Sequence, residues 1–383
     1  MFFKQSLISI LLFLLLISTL VAQENSDKSD SNILLNLMQH LSDVTISGQW
    51  FLAYQSRDIH DKKSNDFLLK RGYLSIEKKF SDNFSGRITQ DISVDKDGDG
   101  EGDVEIRLKY GYLRFKSDDF LIFTNPSVEF GLVHRPWIDF EQKINRYRLQ
   151  GPMFLDRNDI LSSADYGITI TTLLGGKVNE DFQKNINKDY PGKYGSLTFG
   201  IYNGGGYHAI EKNQNKIFEG RLSVRPLPEI LTGLQFSYVK LFGKGNIAES
   251  PKFNLDLAAL SYENSYLTFL GSYIVGVGDQ SGELYEELNG NLSTKQNVDT
   301  KGYSVFSEIK INALSTRIFG RYDFFDYTKS SWDFGVTEKR TIIGIAYHFL
   351  GKNKIILDYD YNTYEISRLP DEHTIEFAVE IRF

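Results

Sequence analysis

The chain of 383 residues contains no cysteine, which excludes a disulfide framework, thiolate chemistry and cysteine-ligated metals. After residue 20 it has no apolar run of bilayer-spanning length, and its mean hydropathy is negative. Both facts speak against a helical membrane protein. It also lacks a strong excess of either charge. A net charge of −7 argues against a nucleic-acid partner, which calls for a basic surface. Tryptophan is scarce, with 3 residues against 22 Tyr and 28 Phe, while glycine is common at 32.

What is present begins with an address. Lys4 supplies a short positive region, residues 7–20 are nearly all apolar, and Leu20-Val21-Ala22 offers small residues for cleavage before Gln23. Residues 1–22 read as a secretory signal peptide. The alternative is an uncleaved membrane helix, for which the run is barely long enough. No cysteine follows the cleavage position, so a lipid anchor there is excluded. Residues 23–43 then form an N-terminal segment on the periplasmic side. It is polar over Glu24–Asp30, and Ile33, Leu34, Leu37, Met38 and Leu41 follow at the spacing of a short amphipathic helix.

From residue 44 to the end the pattern is strand, turn, strand, loop. The final stretch shows it best. Ile375, Phe377, Val379, Ile381 and Phe383 alternate with Glu376, Ala378, Glu380 and Arg382, so one face is apolar and the other charged. A terminal amphipathic strand ending in Phe resembles the assembly signal of bacterial outer-membrane barrels. Strands are expected near 44–54, 67–79, 83–94, 103–117, 124–135, 162–174, 193–203 and 217–226. Eight more are expected near 233–243, 253–263, 266–277, 301–310, 314–325, 337–349, 354–364 and 373–383. About sixteen strands of eleven or twelve residues suit tilted crossings of a bilayer. The expectation is all-β: a transmembrane antiparallel β-barrel over 44–383, placed in the bacterial outer membrane and in contact with its lipid.

The connections give a second test, because outer-membrane barrels alternate short periplasmic turns with long external loops. Short turns fall at 80–82, 118–123, 227–232, 264–265, 311–313 and 350–353, and longer segments fall on the other side. Only 175–192 breaks the alternation. A soluble β-sandwich gives no reason for such regularity.

Assigning faces by the apolar residues points Arg71, Arg87, Arg107, Lys109 and Arg135 inward, followed by Arg221, Arg225, Arg317, Arg321 and Arg340. Inward acids include Glu77, Asp91, Glu105, Glu129, Asp358, Asp360, Glu376 and Glu380. A barrel of this size leaves an aqueous channel, in which lining charges need no exact partners. Basic residues along neighbouring strands favour small anions, and the interspersed acids weaken that preference. Segment 136–161 is the longest external connection. Folded inward it acts as a constriction loop and brings Lys143, Arg146, Arg148, Arg157, Asp139 and Glu141 to the path; packed across the mouth it does not.

Asp95, Asp97 and Asp99 stand at alternate positions in the 95–103 loop, with a glycine sixth, which makes a candidate Ca²⁺ loop. Position twelve is Ile106 where an EF-hand loop places Glu, and the other reading is an acidic hairpin. No cofactor is otherwise implied. Catalysis finds little support: six scattered histidines show no metal spacing, and no Gly-x-Ser-x-Gly elbow occurs. A triad assembled across strands stays open, since triads are set by geometry.

Ser47-Gly48-Gln49-Trp50, Ser85-Gly86-Arg87-Ile88 and Val128-Glu129-Phe130-Gly131-Leu132, with the long loop after the fifth strand and Phe383, resemble the phosphate-selective O/P porins of bacterial outer membranes. The resemblance covers residues 44–383. It implies a sixteen-stranded trimeric barrel with channel arginines that pass phosphate-like anions; of that family's loop lysines, only Lys143 finds a counterpart. The functional expectation is a non-enzymatic porin for passive diffusion of small hydrophilic solutes, preferring anions. The alternatives are an outer-membrane β-barrel hydrolase and a structural or adhesive barrel.

Overall fold

The computed structural model describes residues 43–59, 62–95, 100–286, 296–329, 334–365 and 370–383. The expected signal peptide and the amphipathic helix over 33–41 lie outside the described residues, as do Asp97 and Asp99.

The strands are β1 (Val44–Ile59), β2 (Lys62–Ser81), β3 (Phe84–Val94), β4 (Val104–Lys116), β5 (Phe123–His134), β6 (Ala164–Leu174), β7 (Gly195–Tyr202), β8 (Ile217–Val224) and β9 (Gln235–Lys244). They continue as β10 (Lys252–Glu263), β11 (Leu267–Val277), β12 (Tyr285–Glu286), β13 (Gln296–Asn297), β14 (Asp299–Ile311), β15 (Thr316–Lys329), β16 (Phe334–Phe349), β17 (Asn353–Tyr364) and β18 (Glu372–Arg382). Among the described residues, β12 and β13 form a small ribbon and the other sixteen close a barrel, each beside its neighbour in chain order and β1 beside β18. This is the expected fold. β2 and β16 run longer than the apolar pattern predicts; the added start of β2, Lys62–Asn65, is exposed and hydrophilic.

The alternation in β18 explains its placement. Ile375 and Phe377 are exposed on the outside, while Glu376, Ala378 and Glu380 are buried inside. The same rule sends Ile343, Ile345 and Tyr347 of β16 outward and Ile342 and Ala346 inward. Such an outward apolar band suits hydrocarbon, where an unpaired strand edge would cost several kcal/mol, and the sheet closes with no free edge. The closing seam joins β1 to β18 from Gln49–Arg382 to Ile59–Glu372. Beyond it Gly48 and Phe383 exchange two backbone hydrogen bonds of 2.8 and 3.1 Å. The Phe383 ring lies over Gly48 so closely that a Cβ there would sit 2.1 Å from it.

Two irregularities change which residues point inward. In β4 the register with β3 jumps between Thr89 and Gln90, whose partners are Tyr110 and Leu108. Lys109 is the extra residue of a β-bulge, and Lys109 and Tyr110 both turn inward. The parity of β4 then switches and carries Arg114 inside. In β2, Leu68 packs on the lumenal core and Lys70 binds Glu376, while Arg71 binds Asp91, so the adjacent Lys70 and Arg71 both reach the lumen.

The interior departs from an open water-filled tube. Inward residues of β8–β11 and β14–β18 include Val239, Leu241, Phe253, Leu255, Phe306, Phe319 and Ile342, all buried. They pack against the connection between β5 and β6, which folds into the lumen with Trp137, Ile138, Phe140, Ile144, Tyr147, Leu149, Met153, Phe154 and Leu155. That loop contains two helices, α1 (Pro136–Ile144) and α2 (Phe154–Arg157). Proline opens α1, where its missing N–H costs nothing, and Asp139 sits in the positive first turn. One wall of the barrel is therefore sealed by a hydrophobic core. The expectation that lumenal charges need no partners fails there, because a buried charge outside water requires pairing.

Candidate functional site

The inward surface is least covered along β2–β7, and there only in patches: Arg71, Arg87, Arg114, Ser127 and Thr171 are half-buried, whereas Lys109, Tyr110, Thr198 and Tyr202 are buried. At its centre is a cleft of about 300 Å³ lined by Arg87, Arg114, Lys116 and His134, by Ser127, Thr169 and Thr171, and by Asp139 and Lys143 of α1. Asp189 and Tyr190, from the β6–β7 connection, complete it. Towards the long-loop rim the same wall continues as a ladder of cations and tyrosines. Lys109 Nζ lies 5.0, 5.9 and 5.1 Å from the ring centres of Tyr73, Tyr110 and Tyr207. The Arg87 guanidinium lies 5.6 Å from Tyr110, and that of Arg114 lies 5.3 Å from Tyr112. Such cation–π contacts hold a cation in place without neutralising it.

The expected basic residues divide into two groups. On the open wall, Arg71 pairs with Asp91 at 3.3 Å, and Arg107 pairs with Glu105. Arg87 donates to Thr89 Oγ1 and Ser75 Oγ at 3.0 and 3.3 Å, and Lys109 to the Tyr73 hydroxyl at 3.4 Å. Among the described residues neither Arg87 nor Lys109 forms an ion pair; Glu77 lies opposite Arg87 in the register without bonding to it.

The second group is withdrawn from water, wholly for Arg135, Arg221, Arg225 and Arg321 and only partly for Arg317 and Arg340. Arg135, Arg221 and Arg225 are fully buried. Arg135 binds Glu219 and Asp165 at 2.7 and 3.2 Å. Arg221 donates to Ser196, Ser223, Thr198 and the Pro136 carbonyl, and Arg225 donates to the Gly192 carbonyl. Arg321 pairs with Asp323, Arg340 with Asp360, and Arg317 lies 3.9 Å from Glu308. Sequence parity places these side chains inward, and parity carries no sign of the loop that covers them.

Within the loop, Arg148 joins the open wall: it pairs with Asp156 at 3.0 Å and donates to the Tyr73 hydroxyl at 3.4 Å. Arg146 binds Glu263 at 3.1 Å, and Arg157 binds Asp323 at 3.4 Å. Lys143 lies 3.8 Å from Asp139. Burial pushes the Asp139 carboxyl up, but Lys143, His134 and the Tyr190 hydroxyl outweigh it and hold it below the ordinary range. Glu141 is buried in the loop's core with Oε2 unpartnered, and burial pushes it up to about 7.

Arg114, Tyr73, Tyr110 and Tyr190 belong to the site and were not anticipated. For Arg114 the signal exists in the sequence: outward apolar residues are even at Val104, Ile106 and Leu108 and odd at Leu113 and Phe115. Arg114 holds Glu129 at 2.5 Å, and Glu129 in turn meets His134 Nδ1 at 3.0 Å.

Among the described residues no group of three or more His, Asp or Glu is placed to hold a metal ion. Asp95 closes the 95–103 hairpin through its backbone, accepting from Gly102 N–H at 3.0 Å and donating to the Asp103 carbonyl at 2.8 Å.

A closed sixteen-stranded antiparallel barrel with a loop folded into its lumen is the architecture of the outer-membrane porins. No family model matches the chain, and no curated protein matches it in sequence. Solved structures do match in fold. OmpF of Salmonella typhi, in a complex with daunomycin, aligns with a TM-score of 0.59 at 12% identity, over 89% of this chain and 97% of that one. An anion-selective porin from Comamonas acidovorans gives 0.57 at 11% identity, over 89% and 99%. The outer-membrane channel DcaP of Acinetobacter baumannii gives 0.54 at 10% identity, over 89% and 97%.

Proposed function

We propose that the protein is a passive outer-membrane channel whose conduit follows the β2–β7 wall and favours small anions. The observation that carries this reading is the pair Lys109 and Arg87. Both stand on tyrosine faces of this wall, Arg87 half-buried and Lys109 buried just behind it, and neither is neutralised by a carboxylate among the described residues. In a narrow, low-dielectric passage such charges raise the local anion concentration and bias permeation. Arg71, Arg148, Arg114 and Lys116 extend the basic track to either side. The phosphate-like anions implied by the sequence resemblance fit this track, as does the anion-selective porin among the matching folds. A homotrimer in outer-membrane lipid, exported by the N-terminal signal, completes the proposal.

Single-channel recording of the purified protein under a salt gradient tests it. Open steps with an anion-directed reversal potential support the reading; a folded barrel with no conductance overturns it. One observation favours a second reading. His134 is oriented by Glu129 in a cleft that also carries Ser127, Thr169 and Thr171, an arrangement on which a wall hydrolase could be built. Ester hydrolysis lost in His134→Ala, with conductance unchanged, would establish that reading instead.

A further inference from the structure

The connection that broke the alternation of short turns, 175–192, runs on to residue 194 before β7 and does not hang below the barrel. It rises into it. The backbone turns upward at Gly175 and Gly176, with φ of +70° and +86°, a region that glycine enters without strain. A bridge between Lys177 and Gly192 closes the base of the excursion. Inside it lies α3 (Glu180–Asn185), capped by the Asn179 side chain on Phe182 N–H. Phe182 lies 5.3 Å from the Arg225 guanidinium.

The upper part docks onto the lumenal loop. Asn187 Nδ2 donates to Glu263 at 2.7 Å and to the Lys143 carbonyl at 3.2 Å. Arg146 donates to the Ile186 carbonyl at 3.1 Å. Tyr190 stands edge-on to Phe140, with ring centres 5.3 Å apart and the Arg221 guanidinium 4.6 Å from its own. Its hydroxyl donates to Asp139 at 2.7 Å. A loop from one rim and a turn from the other thus meet inside the barrel, and Tyr190 lines the basic cleft at their junction.

The two inserts are held differently. The long loop is fixed by a buried apolar cluster and by the fully buried Arg135–Glu219 pair. The turn is held mainly by hydrogen bonds, with Phe182 and Tyr190 as its aromatic contacts and glycines at its base. We propose that the 175–194 segment is a second size filter at the short-turn end of the conduit, with Tyr190 the residue that sets its width and the Tyr190–Asp139 hydrogen bond its latch. The inference rests on the channel reading above.

The test is planar-bilayer conductance, together with swelling of proteoliposomes in sugars of graded size. The wild type is compared with Tyr190→Ala, Tyr190→Phe and Tyr190→Cys. Tyr190→Ala is expected to raise the unit conductance and shift the sugar limit upward. Tyr190→Phe keeps the ring and loses the latch, so its sugar limit stays while open-channel current fluctuations grow. Because the chain has no cysteine, a bulky thiol reagent acts on Tyr190→Cys alone, and is expected to lower its conductance and leave the wild type untouched. The Cys variant before and after modification is its own control if the Ala variant folds poorly. An unchanged sugar limit in Tyr190→Ala with silent modification of the Cys variant overturns the second filter and leaves the channel standing. A wild type that never conducts removes the channel itself.

Discussion

Arg135 Nε donates to Glu219 Oε2 at 2.7 Å with both side chains fully buried, and the other oxygen of Glu219 accepts Trp137 N–H at 2.9 Å. One carboxylate thus neutralises the root of the lumenal loop and caps the N-terminus of its first helix, where the helix dipole favours negative charge. Removing one member of a buried pair costs roughly 3–5 kcal/mol when the other charge is left uncompensated; Asp165, 3.2 Å from Arg135, retains part of the compensation, so the expected cost is smaller. Glu219→Ala is expected to lower the unfolding midpoint in detergent and expose 136–161 to protease in the folded barrel. A variant as stable and as protected as the wild type would show that the apolar cluster alone holds the loop.

Selectivity separates the two walls. Arg87→Glu and Lys109→Glu are expected to move the reversal potential towards cations. Arg317→Gln, beside Glu308 on the wall packed against the loop, should move it far less. Equal shifts from all three would mean that the conduit is not confined to β2–β7.

Glu141 is expected to make the stability of the barrel depend on pH. Its folded value of about 7 lies above the ordinary 4.5, so the native state binds the proton more tightly than the unfolded chain. Stability is full below about pH 4.5 and falls as pH rises to about 7, by about 3 kcal/mol when the carboxyl is ionised. Glu141→Gln should remove this component. The check is the unfolding midpoint at pH 5 and pH 8, where the drop seen in the wild type should shrink in the variant. An equal drop in both places the titration elsewhere.

The seam offers a rescue experiment. A methyl group on Gly48 collides with the Phe383 ring, so Gly48→Ala is expected to reduce the yield of folded, heat-modifiable barrel. Phe383→Ala vacates that space. The double variant should close better than Gly48→Ala alone; if it closes worse, the ring contributes more to closure than the collision takes away.

Strand positions were legible in the sequence because the strands carry one outward apolar face, and period two reports that face directly. The interior was legible only in parity. Val239, Leu241 and Phe253 point inward as expected of their neighbours' exposure, but nothing local says that a distant loop will cover them. Arg221 and Arg225 read as channel arginines for the same reason. Bulges add a second loss: a single extra residue at Lys109 reverses all later assignments in β4, and Arg114 is missed unless the switch of the apolar residues from even to odd positions is followed. The over-long 175–192 connection was visible as a broken rule. Its destination depends on Asp139 and Glu263, which lie far away along the chain.

The order of the barrel has a consequence for how it is made. Each strand of the ring lies beside its predecessor, so all seams but one form between neighbours along the chain. The last seam joins residues such as Gln49 and Glu380, 331 positions apart. Contacts between distant residues bear the entropy of closing a long loop before they return any energy. Assembly is therefore a row of quick hairpins followed by one slow closure. The slow step is expected on the stretch where Phe383 settles over Gly48.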